Sequence, residues 1–168
     1  MPRGSRPSLA AAALCFALLL PASALAARVI TPQGVGALHL GATVKSLHQK
    51  HLIGGLRKGC ELDPGQRVAS LKAPLKGTAV FSFGKNRLSA LIVERGVETT
   101  RHVKIGSSQH DARTAYPSAL FEAPGTAKPF DVGFLWIPNL NHPKMTMIID
   151  PGSHQVDSIS VSVPNLCE

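Results

Sequence analysis

Apolar residues flank a single polar one at two places in the chain, Leu38-His39-Leu40 and Val103-Lys104-Ile105, 65 residues apart. A period of two predicts a half-buried strand, because successive side chains of a strand point to opposite faces. Gly41 and Gly106 follow directly, where a sharp exit from the strand favours a residue without a Cβ. Two residues further stand Thr43 and Ser108, whose side chains can cap a helix by accepting from its free amides. Beyond Thr43, apolar Val44, Leu47 and Leu52 fall near one helical face until Gly54-Gly55 supplies a stop. Beyond Ser108, Asp111 stands where its carboxylate completes a capping box and favours the positive end of the helix dipole. Ala112, Ala115 and Tyr116 continue the apolar stripe until Pro117 ends it. Helices this short are marginal alone, so both are expected to lie on a sheet.

The same offset recurs in the strand pattern. Thr78 to Phe83 reads as a strand, Gly84-Lys85-Asn86 as a turn and Leu88 to Arg95 as the return. Roughly 65 residues later, Lys144 to Ile149, Asp150-Pro151-Gly152 and Val156 to Val163 repeat that order, with Ile159, Val161 and Val163 alternating against serines. Further strands are expected at Arg67–Lys72 and Asp131–Ile137. A parallel sheet would need a crossover between most strands, so the pattern predicts an α+β fold with an antiparallel sheet and short helices packed on it. It predicts one domain of two tandem similar halves, 34–97 and 98–168. The Pro- and Gly-containing stretches at Cys60–Gly65 and Ala123–Pro129 are too short and varied for interdomain linkers.

The N-terminus changes the picture of where this domain works. Arg3 and Arg6 precede an uncharged apolar run from Leu9 to Leu20, followed by Pro21 and an Ala24-x-Ala26 ending, the order of a secretory signal cleaved after Ala26. The run is shorter than the roughly twenty residues that cross a bilayer, so residues 1–26 are expected to be removed, leaving no transmembrane anchor. The remaining chain, 27–168, is then expected to be a single secreted domain, extracellular or periplasmic. Cys15 goes with the signal, which leaves Cys60 and Cys167, and two cysteines in an oxidising compartment are expected to pair. Without Arg3 and Arg6 the chain carries 16 basic against 10 acidic residues. That balance suits an anionic envelope polymer or an acidic protein as partner, or simply keeps the domain soluble.

The phrase Gly34-Val35-Gly36-x-x-x-Leu40-Gly41-x-Thr43, followed by Gly59-Cys60-Glu61-Leu62 and a terminal Cys167-Glu168, resembles a group of secreted actinobacterial proteins. The resemblance covers nearly all of the exported chain and implies no activity. More distantly, a glycine and capped helix before antiparallel strands, duplicated in tandem, is similar to the β-lactamase-inhibitor-protein fold and the small outer-membrane-assembly lipoprotein fold. Members of those folds bind other proteins and do no chemistry. This chain departs from the lipoproteins in lacking a lipidated cysteine, and from the inhibitors in having one disulfide at most. A fold likeness does not transfer function, but it favours binding over catalysis.

No arrangement of residues spells out a catalytic site. His48 and His51 are three apart on the first expected helix and could meet on one face, but a zinc site needs further ligands and none is in view. Ser107-Ser108 beside His110-Asp111 is explained by helix capping. No G-x-S-x-G elbow surrounds a serine, the carboxylates are scattered, and Gly34-x-Gly36 precedes a strand where a phosphate-binding loop would follow one. The positive charge lacks the interleaved aromatics of a nucleic-acid surface. No catalytic residue, metal or other cofactor is therefore expected. Trp136 follows Phe134-Leu135 and precedes Ile137; in such a run one face lies away from the main core unless a helix covers it, so the alternatives for Trp136 are packing in the core and partial exposure near the following loop. Tryptophan is favoured at binding hot spots, so Trp136 and the adjacent loop residues Asn139, Asn141 and His142 are the expected partner contact. The expected function is a non-catalytic secreted or periplasmic binding protein. The alternatives are a cell-envelope hydrolase using His48 or His110, and electrostatic attachment to an anionic wall polymer.

Overall fold

Thr43 and Ser108 both do what a capping residue does. The computed structural model, which describes residues 28–59, 65–82, 84–126, 131–138 and 144–162, has helix α1 at Val44–Gln49 and helix α2 at Gln109–Ala115. The Thr43 hydroxyl accepts from the Ser46 amide at 3.2 Å, and the Ser108 hydroxyl from the Asp111 amide at 3.0 Å. The Ser108 hydroxyl in turn donates to Asp111 Oδ2 at 2.7 Å, so the expected pairing of these two side chains is present. Helix α1 ends well before Gly54-Gly55. The amide of His51 bonds to the His48 carbonyl and that of Leu52 to the Leu47 carbonyl, while His51 adopts φ +54°. This is a Schellman termination with histidine in the left-handed position where glycine is commoner. Leu52 thus lies beyond the helix and still packs on the core.

The strands are β1 (Arg28–Ile30), β2 (Gly34–Val35), β3 (Leu38–His39), β4 (Arg57–Lys58), β5 (Arg67–Ser70), β6 (Lys76–Phe81), β7 (Leu88–Arg95), β8 (Val97–Thr99), β9 (Leu120–Glu122), β10 (Gly133–Ile137), β11 (Met145–Ile149) and β12 (Val156–Val161). The protein is mostly β, with an antiparallel sheet and two short helices. Eight strands form the sheet in the order β4-β5-β6-β7-β12-β11-β10-β9. Strand β1 pairs with β8 in parallel, and β2 with β3 as a small hairpin. No helix among the described residues is long and apolar enough to cross a membrane.

The segment Val103–Ile105 is not a strand. His102 turns the chain back at φ +61°, the Thr99 amide bonds to the Val103 carbonyl, and Lys104 makes a single bridge to Glu98. A turn that tight leaves no second strand for the alternating residues to join. Val163, expected at the end of the last strand, lies outside the described residues, as do 1–27 with the expected signal. The short strands β1, β4, β8 and β9 carried too few residues for a period to register.

The contacts around the two helix starts correspond closely. Gly41 and Gly106 have φ +86° and +87°, and their amides bond to the carbonyls of Leu88 and Val156, both at 2.8 Å. The amides of Leu88 and Val156 return to Ala42 and Ser107 at 2.8 and 2.9 Å. The first helical residues, Val44 and Gln109, donate to Asn86 and His154, each in a left-handed conformation just before its strand. Each helix is thereby fastened to the start of a central strand, β7 or β12.

One face of the sheet carries Ala79, Leu91, Val93, Leu135, Met147, Ile159 and Val161, which form a continuous core with Leu47 of α1 and Ala112 of α2. At the hairpin between β11 and β12, Asp150 Oδ1 accepts from both the amide and the hydroxyl of Ser153 at 2.7 Å. These bonds favour the ionised carboxylate and hold its pKa below the ordinary value. In β6, Gly77 sits at a register shift with φ +143°. A Cβ there would come within 2.1 Å of the Ile92 carbonyl oxygen, whereas one at Gly41 would meet open space. Gly77→Ala is expected to cost upward of about 2 kcal/mol, and Gly41→Ala about 1 kcal/mol, the penalty of a left-handed alanine alone. Urea unfolding of the two variants checks this; equal losses would show that the close approach at Gly77 is not a real constraint.

Candidate functional site

A strand that turns one residue to the core turns the next away from it, and on this sheet the second face is unusual. Strand registers place Leu120, Trp136, Thr146, Ser160, Ile92, Thr78 and Ser70 side by side in one row across seven strands. Beside it runs Glu122, Phe134, Ile148 and Ser158. None of these belongs to the core cluster that includes the helices. The serines of β12, which the alternation with Ile159 and Val161 places on this face, are nevertheless buried. Their short side chains sit low between larger neighbours, Ser160 between Ile92 and Thr146 and Ser158 opposite Ile148.

Trp136 is on this face, so the run 134–137 resolves into Leu135 and Ile137 toward the core and Phe134 and Trp136 away from it. The two rings stack with centroids 5.1 Å apart and planes 20° from parallel, a favourable aromatic geometry. The Trp136 indole N–H donates to Glu122 Oε2 at 2.7 Å, which fixes the ring on the neighbouring edge strand. Leu120, at the end of the row, is 42% exposed. Trp136 itself is part-exposed. Asn139, Asn141 and His142, expected to share this contact, lie outside the described residues, and so do Cys60 and Cys167.

In the middle of the row, Thr146 is 2% exposed and its hydroxyl has no hydrogen-bond partner among the described residues. Ser160 beside it donates to the Thr146 carbonyl, at 3.4 Å. A buried hydroxyl without a partner costs about 1–3 kcal/mol, which makes it an exception that calls for a reason.

The sequence-derived chemical candidates fall elsewhere and apart. His48 is exposed on α1, and His51 is the exposed left-handed residue that ends it. His110 is exposed on α2, while Ser108 and Asp111 are engaged with each other as a cap. His102 Nδ1 lies 2.6 Å from Glu98 Oε1 at the surface. Among the described residues no three of His, Cys, Asp and Glu converge on a point where a metal ion would sit.

No family model, no curated protein and no solved structure matches the chain. Surface chemistry is what distinguishes one function from another here, and the sequence pointed to only part of that surface. Trp136 and Phe134 were visible as an apolar run. Thr146 and Ile148 alternate with Met145, Met147 and Ile149, which marks them as off-core residues, but their position beside Trp136 depends on a register that spacing does not encode.

Valine matches threonine in shape without the hydroxyl, so Thr146→Val is expected to raise the unfolding free energy by about 1 kcal/mol. Chemical denaturation measures it; a loss of stability would mean that the hydroxyl is already satisfied.

Proposed function

We propose that the chain is a secreted, non-catalytic binding protein that engages a protein partner through the sheet face opposite its helices, with Trp136 as the anchor. The observation that carries this reading is part-exposed Trp136, turned away from the core cluster that holds the helices, stacked on the buried Phe134 ring and continuous with exposed Leu120. Aromatic side chains flanked by groups that both donate and accept suit an interface with a hydrophobic centre and polar surroundings. Seven interstrand spacings of about 4.8 Å make the face roughly 34 Å broad, enough for the ~800 Å² that one side of a standard interface covers.

The domain itself is best read as two similar halves in tandem, 34–97 and 98–168. The strand order supports this, because β4-β5-β6-β7 is followed by its reverse counterpart β12-β11-β10-β9. So do the corresponding bonds of Gly41 with Leu88 and Gly106 with Val156. We propose too that residues 1–26 are a cleaved signal and that Cys60 pairs with Cys167. Gly59 and Ser162 leave the sheet at the same end, four strand spacings apart in the order β4 to β12. That span is about 19 Å, and six extended residues reach about 20 Å.

A second reading, attachment to an anionic wall polymer, draws support from the surface charge. Among the described residues, Lys76 is the one lysine or arginine with a carboxylate partner, Glu94 at 2.9 Å.

Two measurements test these readings. A photo-crosslinking residue at Ile148 is expected to capture one envelope or medium protein at high salt, where one at Lys50 captures none, and Trp136→Ala is expected to weaken that complex by about thirtyfold or more. Equal capture from both positions, or full affinity without Trp136, would reject the face. Thiol titration of denatured residues 27–168, purified without reductant, is expected to find no free thiol. Cys60→Ser is expected to remove up to about 4–5 kcal/mol of stability for a loop of about a hundred residues; two titratable thiols would reject the pairing.

A further inference from the structure

We propose that the cleft between α2 and β9 binds the phosphate of a sugar- or polyol-phosphate unit, with Arg113 as its charge-bearing donor and His110 beside it as a hydrogen-bonding group. The inference rests on the second reading above and gives it a place on the molecule; it is independent of the face around Trp136. The cleft has a volume of about 540 Å³, within the roughly 300–1,000 Å³ of small-molecule sites and larger than a phosphate alone requires.

Its chemistry is one-sided. Among the described residues no carboxylate lines it, and the acid on the helix, Asp111, is turned to the Ser108 cap. His110, Arg113 and Thr114 stand three and four residues apart on α2, which puts them on one helical face. The Arg113 guanidinium lies over the Phe121 ring, 4.9 Å from its centroid. This contact uses a face of the cation, and among the described residues no hydrogen bond engages its N–H donors, the fork with which arginine grips a phosphate by two parallel bonds. Next to the lining residue Tyr116, Arg101 lies 5.1 Å from that ring's centroid and donates to the Ala115 carbonyl, which places a second positive charge near α2. The remaining lining, Gln109 and Thr114 beside the Tyr116 and Phe121 rings, offers hydrogen bonds and apolar surface to a hydroxylated carbon skeleton.

A smaller cleft of about 350 Å³ near α1 contains Lys45 and Lys85, and among its described lining residues there is no arginine and no aromatic ring. It carries comparable charge without the fork and the stacking surface, and so serves as the internal control.

The experiment titrates residues 27–168 with glycerol 3-phosphate and with a short glycerol-phosphate oligomer, following backbone amide shifts by NMR. Shifts are expected to concentrate between Gln109 and Phe121. Arg113→Gln is expected to weaken binding at least about tenfold, with Arg113→Lys between it and the parent. The Lys45→Gln/Lys85→Gln pair and Trp136→Ala are expected to stay within about twofold, below 0.5 kcal/mol. Tighter binding of the oligomer would identify a phosphodiester polymer as the source, and equal binding a free phosphorylated metabolite. Equal weakening by Arg113→Gln and by the lysine pair would show diffuse surface charge and overturn the site, as would absence of shifts in the cleft up to about 10 mM ligand. Arg113 is exposed, so a folded variant is expected, and unchanged amide dispersion verifies it.

Discussion

The pairing of β7 with β12 is the joint on which the molecule depends. Ile159 lies opposite Val93 and Val161 opposite Leu91, and all four side chains are fully buried in the core. Without that seam there are two four-stranded sheets, each with an apolar face and an open central edge. With it there is one eight-stranded sheet whose core can be shared by α1 and α2. Both helices are too short to persist alone. Each is bonded through its preceding glycine to the first residue of one of these two central strands.

Much of this was legible in the chain, and the illegible parts have physical causes. The boundaries of β7 followed from a clear period and a good turn, and the caps at Thr43 and Ser108 from the residue types themselves. The end of α1 did not, because a histidine took the left-handed position that a glycine usually signals. Val103–Ile105 alternates as a strand does, but its partner was already committed: β8 pairs with β1 across the domain, and the turn at His102 leaves one bridge. The far face was half legible. Side-chain alternation separates Phe134 and Trp136 from Leu135, but only the register brings Thr146, Ser160 and Ile92 into their row.

The two faces of the sheet divide the work. One is closed by aliphatic packing and sets the stability of the fold. On the other, the small hydroxylated residues Thr146 and Ser160 lie buried between part-exposed Trp136 and Ile92. The basic side chains are mostly elsewhere, at turns and on the helices, where they meet solvent and not carboxylates. A domain organised this way has room for two kinds of recognition that do not compete for the same residues.

The parallel pairing of β1 with β8 also orders events during synthesis. Of the described strands Arg28–Ile30 is made first, but the strand that receives it, Val97–Thr99, follows only after the whole first block of the sheet. Strand β7 then waits longer still, since its outer edge is closed only by β12, the last described strand. Until then a row of unpaired backbone groups borders a hydrophobic face, the kind of edge that recruits other chains. The nascent protein is therefore most exposed to misassociation late in its emergence, and is released from that hazard when β12 closes the edge of β7.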